Sequence, residues 1–153
     1  MERTVNNRGF TLIELLIVLL IIGIMTGLGL LAFGDFGQTR KLKVAAELLV
    51  SYLKIVEEKA LIESNSYRLI ISNAGYDTYR LSPSNRWEKM PTRSFFHGRS
   101  FPPHTVVRLS SVIVVHPSGE LSPFRLSLGS EQKPSLFQLS GAHNGALVLE
   151  PYK

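Results

Sequence analysis

Three patterns of apolar and polar positions follow one another along this chain. Residues 15–34 are apolar or small and carry no formal charge. At about 1.5 Å per residue the run matches the roughly 30 Å of a bilayer's hydrocarbon, where a buried core helix would need only about ten residues. The preceding MERTVNNR is basic enough for a secretory signal, but the apolar run is too long for one and no A-x-A site follows it, so the segment is expected to stay on the protein. Next, Leu42, Ala45, Ala46, Leu49, Leu53, Val56 and Ala60 recur at helical spacing, opposite a polar stripe of Arg40, Lys43, Glu47, Ser51, Lys54 and Glu58. Lys43–Glu47 and Lys54–Glu58 are expected i,i+4 pairs, and Ser64-Asn65-Ser66 ends the pattern. One helix from residue 10 to about 63 is the simplest reading. Gly27, Gly29, Gly34 and Gly37 interrupt its middle at about 1 kcal/mol each against alanine, either for close helix packing or for a bend or local melting.

From Tyr67 onward the period becomes two. Tyr67–Ile71 and Asp77–Leu81 flank the turn 72–76, and Val106–Leu109 is a further short strand. Ser111–Val115 and Phe124–Leu128 flank the Pro- and Gly-bearing turn 116–120, and Leu136–Leu139 and Ala146–Glu150 flank a turn holding Asn144-Gly145. About seven short strands with frequent turns imply antiparallel sheets, one face of which covers the second half of the helix.

Composition alters this picture little. The 153 residues suit one compact domain beside the apolar segment, and the net charge of +5 is spread along the chain. Without cysteine there are no disulfides, thiolate metal sites or cysteine nucleophiles. His97, His104, His116 and His143 are scattered without zinc spacing, and no EF-hand, phosphate-binding glycine loop or G-x-S-x-G is present. No enzyme, metal or cofactor is expected.

Glu14 is the chemically informative residue. An ionisable group about a turn inside a membrane helix costs up to about 2.5–3.5 kcal/mol and calls for a partner. Cleavage after Gly9 would create an amine on Phe10, one helical turn before Glu14 and on the same face. Ammonium and carboxylate would then compensate each other, within a chain or between neighbours. Arg3 and Arg8 before the segment nearly balance Arg40, Lys41 and Lys43 after it, so charge alone does not orient it.

The stretch Arg8-Gly9-Phe10-Thr11-Leu12-Ile13-Glu14-Leu15-Leu16-Ile17-Val18 resembles the N-terminal signature of type IV pilins and type II secretion pseudopilins. The resemblance implies a cytoplasmic leader cut by a prepilin peptidase between Gly9 and Phe10, N-methylation of Phe10, and pairing of Glu14 with the terminal amine of an adjacent subunit during assembly. It departs from many major pilins in having Leu31 where they have proline. A second resemblance, carried by Ser118-Gly119-Glu120-Leu121-Ser122-Pro123-Phe124, is to heads of the GspH/FimT branch, in particular the H-class minor pseudopilins.

The segment Ser82–His104 mixes Arg86, Trp87, Lys89, Arg93 and Arg99 with Phe95, Phe96 and Phe101. It reads as a loop or edge strand with aromatics tucked onto the sheet, as a protein-contact surface, or as a grip for single-stranded nucleic acid. The single lysine in the terminal LEPYK disfavours nucleic acid.

The expectation is an α+β, pilin-like fold: a long N-terminal helix, transmembrane in its first half, on an antiparallel β-sheet or β-sandwich head. Residues 1–9 form the leader, 10–34 the transmembrane helix, 35–65 its amphipathic continuation and 66–153 a periplasmic β domain. The resemblance implies a non-enzymatic minor pseudopilin near the tip of a type II secretion pseudopilus, anchored in the bacterial inner membrane, with major and minor pseudopilins, prepilin peptidase and secreted cargo as partners. A minor type IV pilin of the FimT/FimU kind is the alternative.

Overall fold

Thr11 opens the first element: its carbonyl accepts hydrogen bonds from the Glu14 and Leu15 amides at 3.1 and 3.3 Å. The computed structural model describes residues 11–152, without the side chains of 30–36. Helix α1 spans Leu12–Glu63, and the chain divides into two compact units, Met1–Gly37 and Gln38–Lys153.

In the first unit helical bonding continues through Gly27, Gly29, Gly34 and Gly37, so the glycines neither melt the helix nor end it. Among the described residues no atom lies within 4 Å of where a Cβ on Gly23, Gly27, Gly29 or Gly37 would stand, so none of those neighbours excludes a side chain there. Residues Leu12–Gly29 are long and apolar enough to cross a membrane by length and composition, and none of them is buried in the chain.

In the second unit the helix buries Leu42, Ala46, Leu49, Leu53, Val56 and Ala60 as its spacing predicts, and also Tyr52. Lys43 and Glu47 approach to 3.9 Å. The expected Lys54–Glu58 pair does not form among the described residues, in keeping with the small energy of an exposed i,i+4 pair set against side-chain entropy. The helix closes in a double hydrogen bond, Asn65 N–H to the Ala60 carbonyl and Ser64 N–H to that of Leu61. Ser64 takes the left-handed conformation this closure needs, with φ 49°.

Nine strands follow among the described residues. One sheet holds β1 (Tyr67–Ser72), β2 (Gly75–Leu81), β3 (Trp87–Lys89), β4 (Arg99–Ser100) and β6 (Ile113–Val115), in the order β3-β2-β1-β6 with β4 also on β2. The other holds β5 (Thr105–Leu109), β7 (Phe124–Ser130), β8 (Phe137–Gly141) and β9 (Leu147–Pro151), in the order β5-β7-β8-β9. All pairings are antiparallel. The inner faces meet the helix in one core: Tyr67, Leu69, Ile113 and Val115 from the first sheet, and Phe124, Leu126, Leu128 and Leu139 from the second.

Two turns differ from expectation. The β1–β2 connection is tighter, Asn73-Ala74 between the paired Ser72 and Gly75. The strands flanking turn 116–120 form no hairpin, because β6 joins β1 while β7 joins β5 and β8. Beyond the turn the chain pairs briefly, with Leu121 bridging to Val115 and Ser122 N–H reaching the Val114 carbonyl. Pro123 then lacks the N–H to extend that ladder, and the chain leaves for the other sheet. The Asn144-Gly145 hairpin forms as read, with Gly145 at φ 78°.

Candidate functional site

The N-terminal residues expected to act in processing, Gly9 and Phe10, lie outside the described residues. Glu14 sits in the first turn of α1, exposed, with apolar Ile13, Leu15, Ile17 and Val18 around it in sequence and no ion pair within the chain among the described residues. A carboxylate at a helix N-terminus is favoured by the exposed amides there, a modest benefit of about 0.3–1 kcal/mol. That leaves it without a counter-charge where water would be absent.

Residues 82–104 form an edge rather than a free loop. Ser82–Arg86 make a tight turn, with Asn85 at φ 57°. Strand β3 pairs with Tyr79–Leu81 of β2, and β4 pairs with Gly75 and Tyr76 farther along the same strand. The chain between them bulges outward through turns at Pro91–Ser94 and Ser94–His97. Phe101 is buried 5.5 Å from Tyr76, and Phe96 lies half-buried 6.2 Å from Tyr52. Phe95 stays exposed, edge-on to Phe96.

The five basic and aromatic residues singled out in this segment therefore do not make one patch. The Trp87 ring is covered by the Arg68 guanidinium at 4.2 Å. Lys89 donates to Asp77 at 2.9 Å, and that hydrogen bond raises the lysine's pKa. Arg99 is half-buried over the rings of Tyr52 and Phe95, at 5.5 and 5.0 Å. Arg86 is exposed, its Nε reaching Ser84 Oγ at 3.4 Å, and Arg93 is exposed. Three of the five serve the head's own packing, which leaves Arg86 and Arg93 as outward cations.

A polar cluster not anticipated from the sequence lies beneath. Tyr52 Oη and Thr78 Oγ1 are buried 2.5 Å apart, and Tyr52 Oη also donates to the Phe96 carbonyl at 3.3 Å. Nearby, the Tyr67 hydroxyl donates to Glu63, whose other oxygen accepts from Lys59 at 2.5 Å, with Arg80 3.6 Å away. The Lys59 bond, then the Tyr67 bond, holds the Glu63 carboxyl below its ordinary range. Burial foremost raises the phenols of Tyr52, Tyr67 and Tyr76, the last to about 12. Tyr52 at helical spacing was the one available signal, since it continues the buried stripe between Leu49 and Val56. Among the described residues no group of three or more His, Asp or Glu is placed to hold a metal ion.

Comparison with known proteins bears on this arrangement as a whole. Residues 5–30 match the family described as the prokaryotic N-terminal methylation motif. The chain is 28% identical to the type II secretion system protein H of Pseudomonas aeruginosa, over 91% of this chain and 92% of that protein. Two structures of the minor pseudopilin EpsH from the type 2 secretion system of Vibrio cholerae superpose with TM-scores of 0.63 and 0.65. They are 18% and 17% identical and cover 72% and 75% of this chain, and 97% of theirs in each case. The chain thus carries a type IV pilin-like methylation motif and has the minor-pseudopilin fold.

Proposed function

We propose that this chain is a minor pseudopilin of a type II secretion system, a structural subunit that supports export of folded proteins. One observation carries the reading: a likeness to protein H over nine-tenths of both chains, in a chain whose residues 5–30 match the N-terminal methylation motif. On this reading prepilin peptidase removes residues 1–9 at Gly9, and Phe10 becomes the methylated N-terminus. Residues 10–34 anchor the protein in the inner membrane, 35–65 continue the helix, and 66–153 stand in the periplasm. Its partners are the major and other minor pseudopilins and, through the head, secreted cargo. Glu14 is the assembly residue, its charge satisfied by a neighbour's Phe10 amine. The role is mechanical and needs no catalytic group.

Two measurements test this. Mass spectrometry of protein recovered from the native membrane is expected to find a chain starting at N-methylated Phe10; a chain that still starts at Met1 overturns the reading. Deletion of the gene is expected to lower export of folded proteins and leave surface pili intact. Normal export with lost pili would move the protein to the type IV pilus.

A further inference from the structure

The outer face of the second sheet carries a charge pattern that the core does not explain. Leu126, Leu139 and Leu149 occupy one cross-strand row and point inward, so the rows on either side of it point out. One outward row reads Arg108, Ser127, Gln138, Glu150 across β5, β7, β8 and β9; the next reads Arg125, Ser140, Val148. Arg108 and Arg125 are exposed, and neither joins an ion pair among the described residues. They are diagonal neighbours, about 7–8 Å apart at the backbone, where like charges repel. Arg125 stands between two shallow depressions of about 370 and 550 Å³, the first shared with Arg108, Gln138 and Tyr152 and the second with Ser140 and Val148.

We propose that this face binds an extended acidic segment of a different polypeptide, with carboxylates two residues apart. In an extended chain such carboxylates lie on one side about 6.5–7 Å apart, close to the spacing of the two guanidiniums' strand positions. Each pair would be a charge-assisted contact of the planar, bidentate kind arginine favours. Ser127, Gln138 and Ser140 supply hydrogen-bonding groups beside them. Glu150 stands three strands from Arg108, about 14 Å away, and disfavours acid there, which confines the acidic residues to the β5–β7 side of the face. A second copy of this chain cannot supply the ligand, because no two of its twelve acids stand two residues apart. Nucleic acid fits less well: two cations next to an anion release few counterions. The inference concerns the head alone and stands whether or not the chain serves secretion.

The test uses the full chain in detergent micelles and a hexapeptide alternating Glu and Thr. Expected is saturable binding that shifts the amide signals of Ser127, Gln138 and Ser140, and that weakens at least about tenfold in Arg108→Glu/Arg125→Glu and by an intermediate factor in Arg108→Gln. The single variant decides the matter if the double variant melts early. Equal binding of a peptide of the same composition in the order Glu-Glu-Thr-Thr-Glu-Thr, in which no two Glu stand two residues apart, would reduce the effect to general charge attraction and overturn the proposal. So would unchanged binding by Arg108→Gln, or tighter binding of a thymidine oligonucleotide of equal charge.

Discussion

The Arg68 guanidinium lies 4.2 Å from the centre of the Trp87 ring, so strand β1 reaches across β2 to cover the aromatic of β3. Arg68 Nε is buried without a hydrogen-bond partner among the described residues, and its cation is held against the ring face instead. Trp87 is the sole tryptophan, so its fluorescence reports this contact alone. Arg68→Gln is expected to red-shift the emission and increase quenching by acrylamide, with a loss of stability of about 0.5–1 kcal/mol. An unchanged spectrum would mean the ring is shielded by something else.

Charge reversal separates two arginines that look alike in the sequence. Arg93 is exposed in the bulge between β3 and β4, and Arg93→Glu is expected to leave the melting temperature within the small range typical of surface changes. Arg99 packs on Tyr52 and Phe95 with its Nε buried. Arg99→Glu places a carboxylate against aromatic faces and removes the cation, and should cost about 2 kcal/mol or more. Thermal unfolding followed by near-ultraviolet circular dichroism reads both. Equal effects would contradict the placement.

How much of this was legible beforehand follows from where the information lies. The helix stripe from Leu42 to Ala60 and the hairpin at Asn144-Gly145 are local patterns, and both form as read. Sheet membership is not local. The partition of β6 and β7 between two sheets turns on Pro123 ending a ladder, and the sequence shows that proline without showing what β1 offers to β6. The same holds for residues 82–104. Their basic and aromatic content was visible, but their partners Arg68, Tyr52 and Asp77 lie on other elements. Periodicity cannot announce that a cation is already committed to its own fold. Glu14 was conspicuous for the opposite reason, because its peculiarity is one charge in an uncharged run.

Two linked pH effects follow from the Glu63–Tyr67 cluster. The Glu63 carboxyl is held below its ordinary range, so its stabilising contribution is present above the unfolded value of about 4.3 and is lost as pH falls through the lower folded value. The ion pair is partly exposed, which limits the effect to below about 1 kcal/mol. Tyr52, Tyr67 and Tyr76 have raised values, so their contribution is complete below about pH 10 and is lost as pH rises through the folded values. Stability is therefore expected to fall on both sides. Glu63→Gln should flatten the acid limb and also weaken the Tyr67 part of the alkaline limb, because Glu63 adds to burial in raising that phenol. On the alkaline limb the phenolate absorbance of these three rings should rise together with unfolding. A rise that precedes any loss of ellipticity would place those rings in water.

Glu14 carries the last prediction because, on the proposed reading, the cost of its charge in lipid is what favours assembly. Its side chain is exposed on α1 within a run able to cross a membrane, with no counter-charge in the chain among the described residues. In lipid that carboxylate is disfavoured by up to about 2.5–3.5 kcal/mol, and docking against a neighbour's terminal amine would recover part of this only in a register that aligns the two. Glu14→Gln keeps the shape and removes the charge. It should insert as well as the original or better, while site-specific crosslinking to neighbouring subunits falls at least tenfold, a loss of about 1.4 kcal/mol or more. A poorly inserted protein would give low crosslinking for the wrong reason, so membrane fractionation accompanies the measurement. Crosslinking at the original level in a normally inserted Glu14→Gln chain would show that the charge takes no part in assembly.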